Sequence, residues 1–164
     1  MKKRLFAGLL TLVMILSLVP MTALAASDEG EGDTTSIPSI YCGAEGNKEN
    51  VTWRIEQNNK DNTNPTYTLI ISGKGATADY KTNDIRPWGL NEAITAVEVG
   101  EGVTYLGERT LQNLKAESIS LPSTLSDLSD LAMGSMTELA EITVATGNPS
   151  YTVKDGVLFT ADGT

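Results

Sequence analysis

The sequence predicts an α/β, mostly β fold: a solenoid of short strands and short helical or 3₁₀ turns, preceded by a β-hairpin cap. Three observations carry this. Apolar residues recur at a period of 22 to 23, as Val97, Ile119 and Ile142 do, and again Val99, Leu121 and Val144. Two β-rich runs precede the first of these repeats. Gly and Pro then interrupt successive units just after their strands, at Gly100-Glu101-Gly102 and at Pro122-Ser123-Thr124. A period of this size marks units that each bury an incomplete core against their neighbours.

The chain opens on Met1-Lys2-Lys3-Arg4, a cationic start to an apolar run over residues 5–19 that ends at Pro20 and Ala23-Leu24-Ala25. Small residues at those last positions are what a signal peptidase reads, so residues 1–25 are expected to be a signal peptide cleaved after Ala25. Secretion or cell-surface display is the expected consequence. The apolar run is shorter than the roughly 20 residues that span a bilayer, and no later stretch approaches that length, so no membrane insertion of the mature chain is expected. Residues 26–40 read as a disordered acidic linker, because Ser27 to Ser39 contains one large apolar side chain, Ile37, and cannot bury enough surface to offset its ordering.

Residues 41–93 form the expected N-terminal β cap. Val51, Trp53 and Ile55 alternate with Thr52, Arg54 and Glu56, the period-2 signature of a strand with one buried face. After a polar, Asn-rich break, Tyr67-Thr68-Leu69-Ile70-Ile71-Ser72 supplies the second strand. A two-stranded hairpin is only marginally stable in water, so it must pack on the repeats that begin at Ile94.

Residues 94–164 are read as about three repeats, the last incomplete. Val103 with Leu125, Leu106 with Leu128, Leu111 with Met133 and Leu114 with Met136 keep the 22-residue phase. Val97 and Val99 point to one side of a strand and Ala96 and Glu98 to the other, and across units Glu98, Ser120 and Thr143 form an outward row. Val103 to Leu106 and Leu125 to Leu128 place apolar residues three apart, which suits a helical or 3₁₀ turn better than a strand. Asp155-Gly156, between Tyr151-Thr152-Val153 and Val157-Leu158-Phe159, is a type I′ hairpin signal. No returning strand or polar cap is found before Thr164, which leads to the expectation of a longer secreted protein of which this is the N-terminal piece, with self-association through the open repeat end otherwise.

Composition excludes several activities. The chain holds 12 Lys or Arg, 21 Asp or Glu, one Cys and no His, for a net charge of −9. Without His there is no Ser-His-Asp triad, Cys-His pair or HExxH site. One Cys makes neither a zinc ribbon nor an internal disulfide framework. Three of the basic residues lie in the signal peptide, leaving a mature charge of −12 that repels nucleic acid and anionic lipid.

Plainer roles suit most of the residues that imitate a site. Gly73-Lys74-Gly75-Ala76-Thr77-Ala78 imitates a dinucleotide loop, but no apolar helical period comes after it. Asp127 with Asp130, or Asp155 with Asp162, imitates a glycosidase pair, yet each sits beside Ser or Gly in a turn, where its side chain bonds local backbone. Trp53 belongs with the cap core. Trp88, beside Pro87 and outside any strand pattern, is the expected exposed tryptophan and a candidate contact for sugar rings. Cys42 is either a small buried thiol or the source of an intermolecular disulfide. Asn50-Val51-Thr52 matches a glycosylation sequon inside a strand.

These residues together resemble the BspA-like group of bacterial surface leucine-rich repeats. The matching pieces are Val97-Glu98-Val99 with Val103-Thr104-Tyr105-Leu106-Gly107, then Ile119-Ser120-Leu121-Pro122 with Leu125, and Ile142-Thr143-Val144 with Asn148-Pro149-Ser150-Tyr151. Cys42-Gly43, Val51-Thr52-Trp53, Leu69-Ile70-Ile71-Ser72-Gly73 and Pro87-Trp88 stand in the order such proteins show before their first repeat. Leu111 with Leu114, and Met133 with Met136, depart from the aromatic-then-small pattern usual in the helical turn. The resemblance implies a leucine-rich-repeat solenoid that is not an enzyme, needs no cofactor or metal, and binds an extracellular protein or glycan. Glu98, Ser120, Thr143 and Trp88 are its candidate contacts. The alternative is a repeat appendage of a larger secreted peptidase or glycan hydrolase whose catalytic domain lies beyond residue 164.

Overall fold

A computed structural model describes residues 40–59, 63–82 and 85–162. The expected signal peptide, the linker up to Ser39, and Gly163 with Thr164 lie outside them. The described chain is mostly β, with a 3₁₀ helix at Lys48–Asn50 and no closed barrel.

Alternation places the first two strands as the sequence suggests. Strand β1 (Val51–Gln57) pairs antiparallel with β2 (Tyr67–Gly73), from Val51 opposite Gly73 to Gln57 opposite Tyr67. Val51, Leu69 and Ile71 are fully buried on one face. From β2 onward the partners are parallel. Strand β4 (Ile94–Val99) pairs with β2, β6 (Ser118–Leu121) with β4, and β8 (Glu141–Val144) with β6, giving a five-stranded sheet in the order β1-β2-β4-β6-β8. Val97, Ile119 and Ile142 stand side by side in this ladder, as their 22- and 23-residue spacing requires.

After each strand the chain turns and enters a second parallel sheet of β3 (Gly75–Ala76), β5 (Val103–Leu106) and β7 (Asp127–Leu128). Leu69, Ile71, Val97, Val99, Leu106, Ile119, Leu121 and Leu125 join one apolar cluster. Because every unit contributes to it, no unit has a core of its own.

The segments from Val103 and Leu125 correct the sequence reading. They are not helical turns: Val103–Leu106 is a strand with both ends buried, and the chain from Leu125 leads into the short strand β7. Spacing of three reflects here a short strand bent inward at each end. Its backbone is bonded between units, with Thr77 N–H donating to Tyr105 O at 3.0 Å and Ser126 N–H to Thr104 O at 2.9 Å. Those ladder bonds displace a local helix, and short apolar runs do not distinguish the two by spacing. Single turns instead occupy the return path, closed by Leu114 N–H to Leu111 O at 3.1 Å and Ala132 N–H to Ser129 O at 2.8 Å. Asn113 and Ser135, again 22 apart, take left-handed φ values of 61° and 56°.

The ladder reaches back to β2, one strand earlier than the 22-residue period reveals. Leu69 pairs with Val97 and Ile71 with Val99 at an offset of 28, because extra residues lie between β3 and β4. At this end of the sheets, the segment at residues 40–44 is bonded on two sides. Cys42 N–H donates to Val51 O at 2.9 Å on β1, while Ala44 N–H donates to Ala76 O at 3.0 Å on β3. Further along, β9 (Tyr151–Lys154) and β10 (Val157–Thr160) form a hairpin. Its two-residue turn has φ of 52° at Asp155 and 78° at Gly156, the type I′ geometry that this dipeptide favours.

Candidate binding face and cap cleft

The strand register decides which side chains share the outer face of the five-stranded sheet. One row runs Arg54, Ile70, Glu98, Ser120, Thr143, and the next runs Glu56, Thr68, Ala96, Ser118, Glu141. The predicted Glu98, Ser120 and Thr143 are therefore neighbours on successive strands, and all three are exposed. Of the second row, the sequence pattern was followed only as far as Ala96. Counting the same period from two residues earlier, Ala96, Ser118 and Glu141, would have found it, because residues two apart share a face.

Small side chains at Ala96 and Ser118 leave a trough of about 290 Å³ across β4, β6 and β8. Among the described residues, Glu98, Ser118, Ser120 and Glu141 make no side-chain hydrogen bond or ion pair. Thr143 has only a long bond, from Oγ1 to Ile119 O at 3.4 Å. Some polar groups elsewhere on the repeats are occupied. Glu101 accepts from Ser123 N–H at 2.8 Å and from its hydroxyl at 2.9 Å, and these bonds hold its carboxyl below the usual carboxylate range. Asn148 donates to Pro122 O and Leu125 O at 2.8 and 2.9 Å and accepts from Ser150 and Tyr151 N–H, both at 2.8 Å. One member of each candidate carboxylate pair is held locally: Asp127 accepts from Leu128 N–H at 2.8 Å, and Asp162 from the Thr160 hydroxyl at 2.6 Å.

Trp88 is a correction, for it is buried, at 4% exposure, and not a surface platform. Its ring meets Trp53 edge-on at 5.8 Å and Tyr80 at 5.9 Å. The cause is its neighbour Arg86, a buried cation that sequence reasoning passed over. Arg86 Nη1 donates to the carbonyls of Arg109, Thr110 and Gln112 at 3.0, 3.1 and 2.8 Å, and Nη2 to Gly89 O at 3.2 Å. Held this way, the connection between β3 and β4 is drawn inward and carries Trp88 with it. A residue outside any strand pattern is thereby buried.

A second concavity of about 680 Å³ lies beside the cap, walled by Tyr41, Ile85, Pro87 and Tyr105 with Lys48 and Asp79 among its polar groups. Asp79 Oδ1 accepts from Glu108 N–H at 2.7 Å and from the Tyr105 hydroxyl at 3.2 Å. Cys42 contributes to its lining, but is 2% exposed and free of any disulfide. Burial pushes this thiol from 9.0 up to about 12, and pushes the Tyr80 hydroxyl up as well, with Cys42 adding to it. A thiol so placed is a poor nucleophile at neutral pH.

These two groups carry a pH prediction. Both hold their protons more tightly folded than unfolded, so their contribution is intact below pH 9 and is lost as pH rises through the folded values. The urea midpoint is expected to stay level from pH 7 to about 8.5 and to fall above about 9, with a smaller fall in Cys42→Ala. Identical pH dependence in both proteins would show that Cys42 is not held protonated.

No protein-family model matches the chain, and no curated protein matches it. Among solved structures, it is similar to a leucine-rich repeat protein from Eubacterium ventriosum, with 16% sequence identity and a TM-score of 0.30. The likeness covers 66% of this chain and 49% of that one, so this chain spans about half the length of its neighbour.

Proposed function

We propose that the chain is a non-catalytic leucine-rich-repeat module of the BspA-like kind, exported by its signal peptide, that binds an extracellular protein or glycan on the outer face of its five-stranded sheet. The observation that carries this reading is the strand register, which sets Glu98, Ser118, Ser120 and Glu141 together on one face, where their side chains make no hydrogen bond or ion pair with the described residues. Polar groups without internal partners are available to an incoming surface. The parallel ladder at offsets of 22 and 23 supports a solenoid. Export rests on the cationic start, apolar run and Ala23-Leu24-Ala25 of the leader.

The test displays the full chain on a cell surface and measures adhesion to immobilised extracellular proteins and glycans. Glu98→Ala, Ser120→Ala and Thr143→Ala combined are expected to reduce adhesion about tenfold with the thermal midpoint nearly unchanged, because exposed substitutions cost little stability. Undiminished adhesion would remove this face as the site.

A further inference from the structure

The outer face also narrows the chemistry of its partner. The trough across β4, β6 and β8 has two carboxylates at its opposite corners, Glu98 on β4 and Glu141 on β8, two strands and one row apart. Strand spacing and rise put their backbones on the order of 11 Å apart. No Lys or Arg is among the described residues lining the trough. The nearby cation of the same face, Arg54, bonds Glu56 at 2.8 Å. Two carboxylates thus stand over a floor of Ala96 and Ser118 with no internal counter-charge, on a chain whose net charge is −9.

We propose that this trough takes an extended polypeptide segment bearing Lys or Arg, with one cationic side chain at Glu98 and a second at Glu141. The inference rests on the sheet-face reading above. Same-face side chains of an extended segment repeat about every 6.6 Å, so two of them with flexible stems reach both carboxylates. Between them, Ser118 and Ser120 offer hydroxyls that donate to or accept from the segment's backbone. Low side chains along the floor admit that backbone close to the sheet. A neutral glycan would gain nothing from the uncompensated charge, and an acidic one would be repelled. The long-range field of an acidic chain speeds the encounter with a cationic partner.

The experiment uses the full chain and a fluorescein-labelled octapeptide of alternating Lys and Ser, read by anisotropy, with Gln-Ser and Glu-Ser octapeptides beside it. Only the Lys peptide is expected to bind, with affinity falling as salt rises. Glu98→Gln with Glu141→Gln is expected to weaken it about tenfold, the loss of two surface charge pairs. Glu45→Gln with Glu49→Gln removes the same charge at the cap, outside the trough, and is expected to change binding less than about twofold. Equal weakening by both pairs would reduce the effect to net charge and overturn the inference. So would equal binding of the Gln-Ser peptide or of a neutral N-acetylglucosamine tetramer. If the Lys peptide fails while the Glu98, Ser120 and Thr143 substitutions still abolish adhesion, the cationic partner falls and the sheet-face reading stands. If those substitutions also leave adhesion intact, both fall.

Discussion

Gly73→Ala is expected to destabilise the protein by about 4 kcal/mol, as read from the urea midpoint by circular dichroism. Gly73 closes β2 at φ 133°, a conformation that side chains rarely adopt. A Cβ there would lie 2.0 Å from Asn50 O, which is backbone and cannot rotate away. That same carbonyl accepts from Lys74 N–H at 2.8 Å, so moving it also weakens a hydrogen bond. Gly134, whose nearest obstacle is the flexible Gln112 side chain at 3.2 Å, provides the comparison. Gly134→Ala is expected to cost less than about 1 kcal/mol, within the range of ordinary surface changes. Similar losses at the two sites would show that backbone approach at Gly73 is not decisive.

Arg86→Met is expected to cost about 3 kcal/mol. The substitution keeps an unbranched apolar stem but leaves the carbonyls of Arg109, Thr110 and Gln112 without their cationic donor in a buried place. Arg86→Lys should recover part of the loss, about half, because an ammonium has the charge but not the planar fork that reaches several acceptors at once. A Lys variant no better than Met would assign the effect to shape and not to charge-assisted bonding. A Met variant within about 0.5 kcal/mol of the parent would show that the network contributes nothing.

Arg86 also shows where sequence reading stops. The ladder of Val97, Ile119 and Ile142 was legible because a fixed strand offset leaves a fixed spacing in the chain. The outward row of Glu98, Ser120 and Thr143 followed from it by alternation alone. The hairpin at Asp155-Gly156 was legible because left-handed backbone at both positions restricts the residue types. Membership of β2 in the ladder was hidden by its offset of 28, which breaks the period without breaking the pairing. Arg86 and Trp88 lie in that longer connection, and their burial depends on carbonyls of the following unit, some 23 to 26 residues away. Local pattern does not encode such contacts. Val103–Leu106 misled for the opposite reason: its spacing is regular, but its bonding partners are in other units.

The clustering of Trp53 and Trp88 at 5.8 Å makes intrinsic emission a local witness. These are the chain's two indoles, and both stand at the cap, with Tyr80 against the ring of Trp88. Their colour and intensity therefore report whether that corner is closed and are blind to fraying around β8, β9 and β10. For a molecule held together by contacts between adjacent layers, an optical melting curve taken at 295 nm and one taken on the peptide bond sample different things, and their divergence would measure how far the layers act in concert.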